Sequence, residues 1–89
     1  MTGALFRAFS VCRRLPHEAV IYRCFERLSD GLFFVQSADR LRLPLRLEDI
    51  HAHEVQLWEL FLEASPDERG TPHPTIEQAV AAFDAQFGN

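Results

Sequence analysis

The chain has 89 residues, enough for one hydrophobic core and too few for a second. Its 47% apolar content, eight Phe included, excludes a disordered chain, and no apolar run approaches the ~18–20 residues of a membrane span. The net charge of −4 argues against wholesale nucleic-acid binding, although every one of the nine basic residues is arginine and can make bidentate contacts.

Residues 1–17 carry three arginines and no acid, against six arginines and thirteen acids in residues 18–89. The charge therefore splits into a basic arm of +3 and a body of −7, from those same counts. Wound as a helix, the arm places Leu5, Phe6, Ala8, Phe9 and Cys12 on one side, with Arg7, Ser10 and Arg14 opposite. The composition also has the basic, acid-poor character of an organellar presequence. The plainer reading is a loosely docked terminal segment that Pro16 ends. On this reading residues 18–89 are the single domain.

Residues 19–28 are rich in β-branched and aromatic types and predict a first strand. Ser29-Asp30-Gly31 supplies turn chemistry, and residues 32–38 complete a hairpin. A two-residue turn sets Arg27 opposite Phe34, and a three-residue turn sets Glu26 there. In either register Phe33 and Phe34 point to opposite sides of the sheet. Residues 40–47 (Arg-Leu-Arg-Leu-Pro-Leu-Arg-Leu) alternate with period two, which predicts a third strand with one buried face. Pro44 cannot donate a ladder hydrogen bond, so that strand belongs at a sheet edge.

A helix is predicted over 50–64, where apolar side chains sweep about 220° of the circumference at 100° per residue. Packing on one face of a sheet requires only somewhat over ~100°, so this helix is expected to be buried on two sides. Residues 65–74 hold three prolines and a glycine and read as a loop. Thr75 then caps a helix over 75–87, with Gln78 completing a capping-box pattern and Gly88 ending it. Together these elements predict an α+β fold: a three-stranded antiparallel meander with two C-terminal helices on one face, plus the basic arm.

That arrangement has more apolar surface than it covers. Either the arm closes over the sheet or another molecule does, and a homodimer is the expected outcome. The expected contact residues are Phe33, Phe34, Trp58 and Phe61, with Arg40, Arg42 and Arg46 setting orientation.

Catalysis is not expected. His51 and His53 diverge by 200° on a helix, no His-Glu-x-x-His element occurs, and no metal or cofactor is expected. Cys24 sits mid-strand as a small core residue, so Cys12 is the more reactive thiol. Two cysteines make no disulfide framework, which suits a reducing cytoplasm. Phosphate loops, nucleophile elbows and paired carboxylates are missing from the sequence. The chain therefore reads as a small, non-enzymatic protein-interaction or adaptor module that self-associates in the cytoplasm. The alternative is a nucleic-acid-associated regulator using the arginine strand, with Phe33 or Tyr22 stacking on bases. Charges and a proline on an edge strand also serve simply to block edge-to-edge pairing.

Overall fold

The computed structural model describes residues 3–88. It is an α+β arrangement, a three-stranded antiparallel sheet followed by helices. The strands are β1 (Phe6–Arg14), β2 (Glu18–Arg27) and β3 (Leu32–Arg42), and they lie in the sheet in that order. Three helices follow: α1 (Leu47–Glu63), the one-turn α2 (Pro66–Arg69) and α3 (Ile76–Phe87).

The fold class agrees with the sequence reading, but one strand has moved. Residues 6–14, inside the basic arm, are extended and pair along their whole length with β2. Residues 1–2 of the arm lie outside the described residues. The run 40–47 is not a strand of its own. Its first three residues end β3, the next four form a loop with a cis Leu43–Pro44 peptide, and Leu47 opens α1. The physical reason lies in β2, which is apolar on both sides and needs a partner along each edge. The arm supplies Phe6, Phe9 and Val11 to that pairing, whereas Pro44 lacks the amide hydrogen that would extend a ladder.

The hairpin register is neither of the two expected. Four residues, Leu28 to Gly31, connect the strands, so Phe25 rather than Glu26 or Arg27 lies opposite Phe34. Gly31 adopts φ 70° and its N–H donates to the Arg27 carbonyl at 2.8 Å. Only glycine enters that region without cost. Asp30 closes the turn by accepting from the Leu32 N–H at 3.2 Å and from Arg27.

Successive residues of β2 face opposite sides, and each side has its own helix. Phe25 stacks on Phe61 of α1 at 5.0 Å between ring centroids, and Phe6 meets Phe25, Phe34 and Phe61 edge to face. On the reverse side Val20, Tyr22 and Cys24 pack with Val80 of α3, joined by Phe9, Val11, Val35, Ile76 and Phe83. The helices therefore sandwich the sheet instead of sharing one face. Both Phe33 and Phe34 gain cover: Phe34 is 1% exposed under α1, and Phe33 meets Phe9 on the α3 side.

Helix α3 follows the sequence reading closely. Thr75 Oγ1 accepts from the Gln78 N–H at 3.2 Å, and Gly88 ends the helix in the left-handed conformation. Tyr22 ties α3 to the sheet, its buried hydroxyl donating to Asp84 Oδ1 at 2.8 Å. Loop 65–74 contains α2, and its His73 bridges to Phe33 of β3 through two backbone hydrogen bonds.

The aromatic cluster should dominate stability. Phe25→Ala is expected to cost about 3–5 kcal/mol in urea denaturation, the usual range for a buried phenylalanine. Loss of less than about 1 kcal/mol would mean that the Phe25–Phe61 layer is not the core.

Candidate functional site

Helix α1 is the least covered element of the fold. Only Leu57 is buried, while Leu60, Phe61 and His53 are half-buried on the same side. His53 Nδ1 lies 3.1 Å from Asp39 Oδ2, and Gln36 Nε2 donates to the Leu57 carbonyl at 3.3 Å. These contacts lay α1 along β3, with Phe61 reaching across to β2 and β1.

The rest of its apolar arc is open. Leu47, Trp58, Leu62 and Val55 sit about 80–160° around the axis from Leu57 at 100° per residue. Leu47 is 82% exposed, Leu62 84% and Trp58 45%. The preceding loop continues this band with Leu43, 85% exposed, and Leu45. Among the described residues ten large apolar side chains are exposed, and seven of them fall between Leu43 and Leu62. That concentration, rather than scattered exposure, marks the band as the candidate site.

The seven expected contact residues are divided by the fold. Trp58 is at the centre of the band and Arg46 stands at its edge as the N-cap of α1, with no side-chain cap bond. Phe34 and Phe61 belong to the aromatic cluster, and Phe33 is half-buried on the far side. Arg40 and Arg42 both bind one carboxylate, Glu18, across the strand pair, Arg42 Nε at 2.7 Å. Leu43, Leu45 and Leu47 were visible in the sequence only as the buried face of a strand, whereas Leu62 belonged to the apolar arc of the predicted helix.

Arg23 lies with Arg27 on one face of its strand in the sequence reading, but is left out of the expected contact residues. It shares the α1 side of β2 with Phe25 and pairs in register with Ser10 and Ser37. A bulge in β3 between Val35 and Ser37 places Gln36 beside it. Arg23 is 6% exposed, its Nε has no hydrogen-bond partner, and no carboxylate reaches its guanidinium among the described residues. Gln36 Oε1 is likewise buried without a donor. The only sequence signal was an arginine placed inside an apolar strand run.

Other titratable groups are engaged locally. Arg27 bonds Asp30 at 2.6 Å and Asp67 at 3.4 Å, and its guanidinium carbon sits 5.3 Å from the Phe34 ring centroid. The Arg27 hydrogen bond holds the Asp30 carboxyl below its usual range. The two thiols differ sharply: Cys12 is exposed on the α1 side, whereas burial on the α3 side pushes Cys24 up to about 12. Among the described residues no three His, Cys, Asp or Glu side chains converge as a metal site. No described helix is long and apolar enough to cross a membrane.

Several hollows flank the sheet, among them two with distinct linings. One of about 280 Å³ lies beside β3, lined by Arg69, His73, Phe83 and Phe87 and lacking any carboxylate or thiol. The other, about 580 Å³, lies at the end of the sheet against the leucine loop. Leu15, Leu41, Leu43 and Leu45 floor it, and Arg14 and Arg42 stand at its sides. No family model matches the chain, and no curated protein or solved structure matches it either.

Two measurements check this picture. A thiol reagent should titrate one cysteine in the native protein and two after unfolding, because deprotonation of Cys24 is suppressed near neutral pH. Two fast native thiols would place Cys24 at the surface. The Glu18 carboxyl is held below its usual value, chiefly by its hydrogen bond from Arg42 and further by Arg40. Its contribution is therefore present above the ordinary glutamate pKa of about 4.3 and is lost as pH falls through the lowered value. Glu18→Gln should flatten the acid side of the stability-against-pH curve, and an unchanged acid side would show that the pair adds nothing.

Proposed function

We propose that the protein is a non-enzymatic interaction module that associates with itself through the apolar band running from Leu43 to Leu62. The observation that carries this reading is the exposure of seven large apolar side chains on one loop and one helix. Leaving that much contiguous apolar surface in water is unfavourable, at roughly 25 cal/mol per Å² of area that an interface would remove. Trp58 supplies the kind of large aromatic anchor that dominates interface energies. Closed twofold dimers are the commonest arrangement for a small soluble chain, and a dimer doubles the core of a domain this size.

A cytoplasmic setting goes with this reading. Cys12 and Cys24 lie on opposite faces of the sheet and are both free thiols, which suits a reducing compartment. A nucleic-acid role draws less support, since Arg40 and Arg42 are already committed to Glu18, Arg7 to Glu26 and Arg13 to Asp84.

Light scattering across a concentration series tests the proposal. A mass near twice 10.2 kDa is expected. Trp58→Ala should weaken association by about tenfold or more, as loss of an aromatic anchor does. A strict monomer at all concentrations would reject self-association. Oligonucleotide binding that falls steeply with salt would favour the regulator instead.

A further inference from the structure

The sheet surface under α1 is only half covered. Phe61 faces β1 and β2 while His53 faces β3, so the open stripe of α1 overhangs the β1 half of that surface. There Ala8, Ser10, Cys12 and Arg14 of β1 are exposed, and Ala19 and Ile21 of β2 are half-buried. An apolar helix side and a strip of small side chains thus form a step, with Arg23 set into its floor.

The charges on the two walls of this step are complementary. Arg23 and Arg14 have no carboxylate partner within the chain among the described residues, and Glu54 and Glu59 of α1 have no cation. Glu54 and Glu59 border the open stripe on its two sides, about 60° and 200° from Leu57 around the helix. A buried guanidinium without a counter-charge is costly, and truncating one partner of a buried charge pair strongly weakens a complex.

We infer that the step receives helix α1 of a second copy, and that a carboxylate of that helix, Glu54 or Glu59, provides the counter-charge for Arg23. The arrangement is self-complementary. Each α1 lies on its own sheet through Leu57 and Phe61 and covers the partner's β1 half with Val55 and Leu62, while Trp58 packs between the two helices. This uses Val55, Trp58 and Leu62, part of an apolar arc that is far wider than one contact requires. The acidic helix thereby meets Arg14 of β1 as well as Arg23, while Arg7 and Arg13 lie on the other face and stay paired within the chain. The inference rests on the self-association reading above and specifies its surface.

The test uses the full chain in sedimentation equilibrium, comparing wild type with Val55→Asp and with the double variant Glu54→Gln/Glu59→Gln. All of these positions are exposed, so folding should survive, and circular dichroism checks that it does. A wild-type dimer, loss of dimer in Val55→Asp, and at least about tenfold weaker association in the double variant are expected. Raised salt should weaken the wild type more than the double variant. A dimer indifferent to Val55→Asp would overturn this inference and leave self-association standing through another surface. A dimer broken by Val55→Asp but indifferent to the glutamine pair would overturn the Arg23 counter-charge. A monomeric wild type would overturn both readings.

Discussion

Between Val20 and Phe25 every residue of β2 is buried except Ile21, and burial reaches both sides of the strand. A central strand of this kind cannot be served by one layer of helix. It requires a strand along each edge and a packed layer above and below. The remainder of the molecule meets that requirement. β1 and β3 occupy the edges, α1 covers Phe25, and α3 covers Tyr22 and Cys24. With three strands and 89 residues, neither layer has reserve material. The layer under α3 closes around Tyr22 and Val80, but the layer under α1 closes only over the aromatic cluster.

Charge is distributed to support this sandwich. Arginines on the edge strands bind acids on neighbouring elements: Arg7 to Glu26, Arg13 to Asp84, and Arg40 with Arg42 to Glu18. Exposed pairs of this type contribute little individually, yet they fix which strand lies beside which. Arg27 combines two carboxylates with a position over the Phe34 ring and so seals one end of the aromatic layer. Against this background Arg23 stands apart, as a buried arginine whose neighbours are serines and an amide. Its position at the boundary between the closed and open parts of the α1 layer links the electrostatics to the uncovered surface.

How much of this was legible depends on the range of the signal. Thr75 and Gly88 act within one helix, and their capping roles could be read directly. The turn glycine was also readable, but the register was not. A loop of two, three or four residues satisfies the same Ser-Asp-Gly chemistry, and only the meeting of Phe25 with Phe34 under α1 selects the fourth residue. The Leu/Arg alternation misled for a related reason. Period two is necessary for a half-buried strand but not sufficient, and here no neighbouring strand was available to the residues after Arg42. The arm misled in the opposite sense, because its apolar residues satisfy a helical stripe and a pleated strand about equally well.

The sequence by itself determined what depends on local geometry and composition: an α+β chain, three strands before the helices, the caps of α3, and a surplus of apolar side chains around α1. Tertiary structure alone decided which segment fills the third strand position, that the helices lie on opposite faces, and that Arg23 is buried without a counter-charge. Those outcomes depend on competition between segments far apart in the chain for the two edges and two faces of β2. Periodicity within any one segment carries no information about that competition.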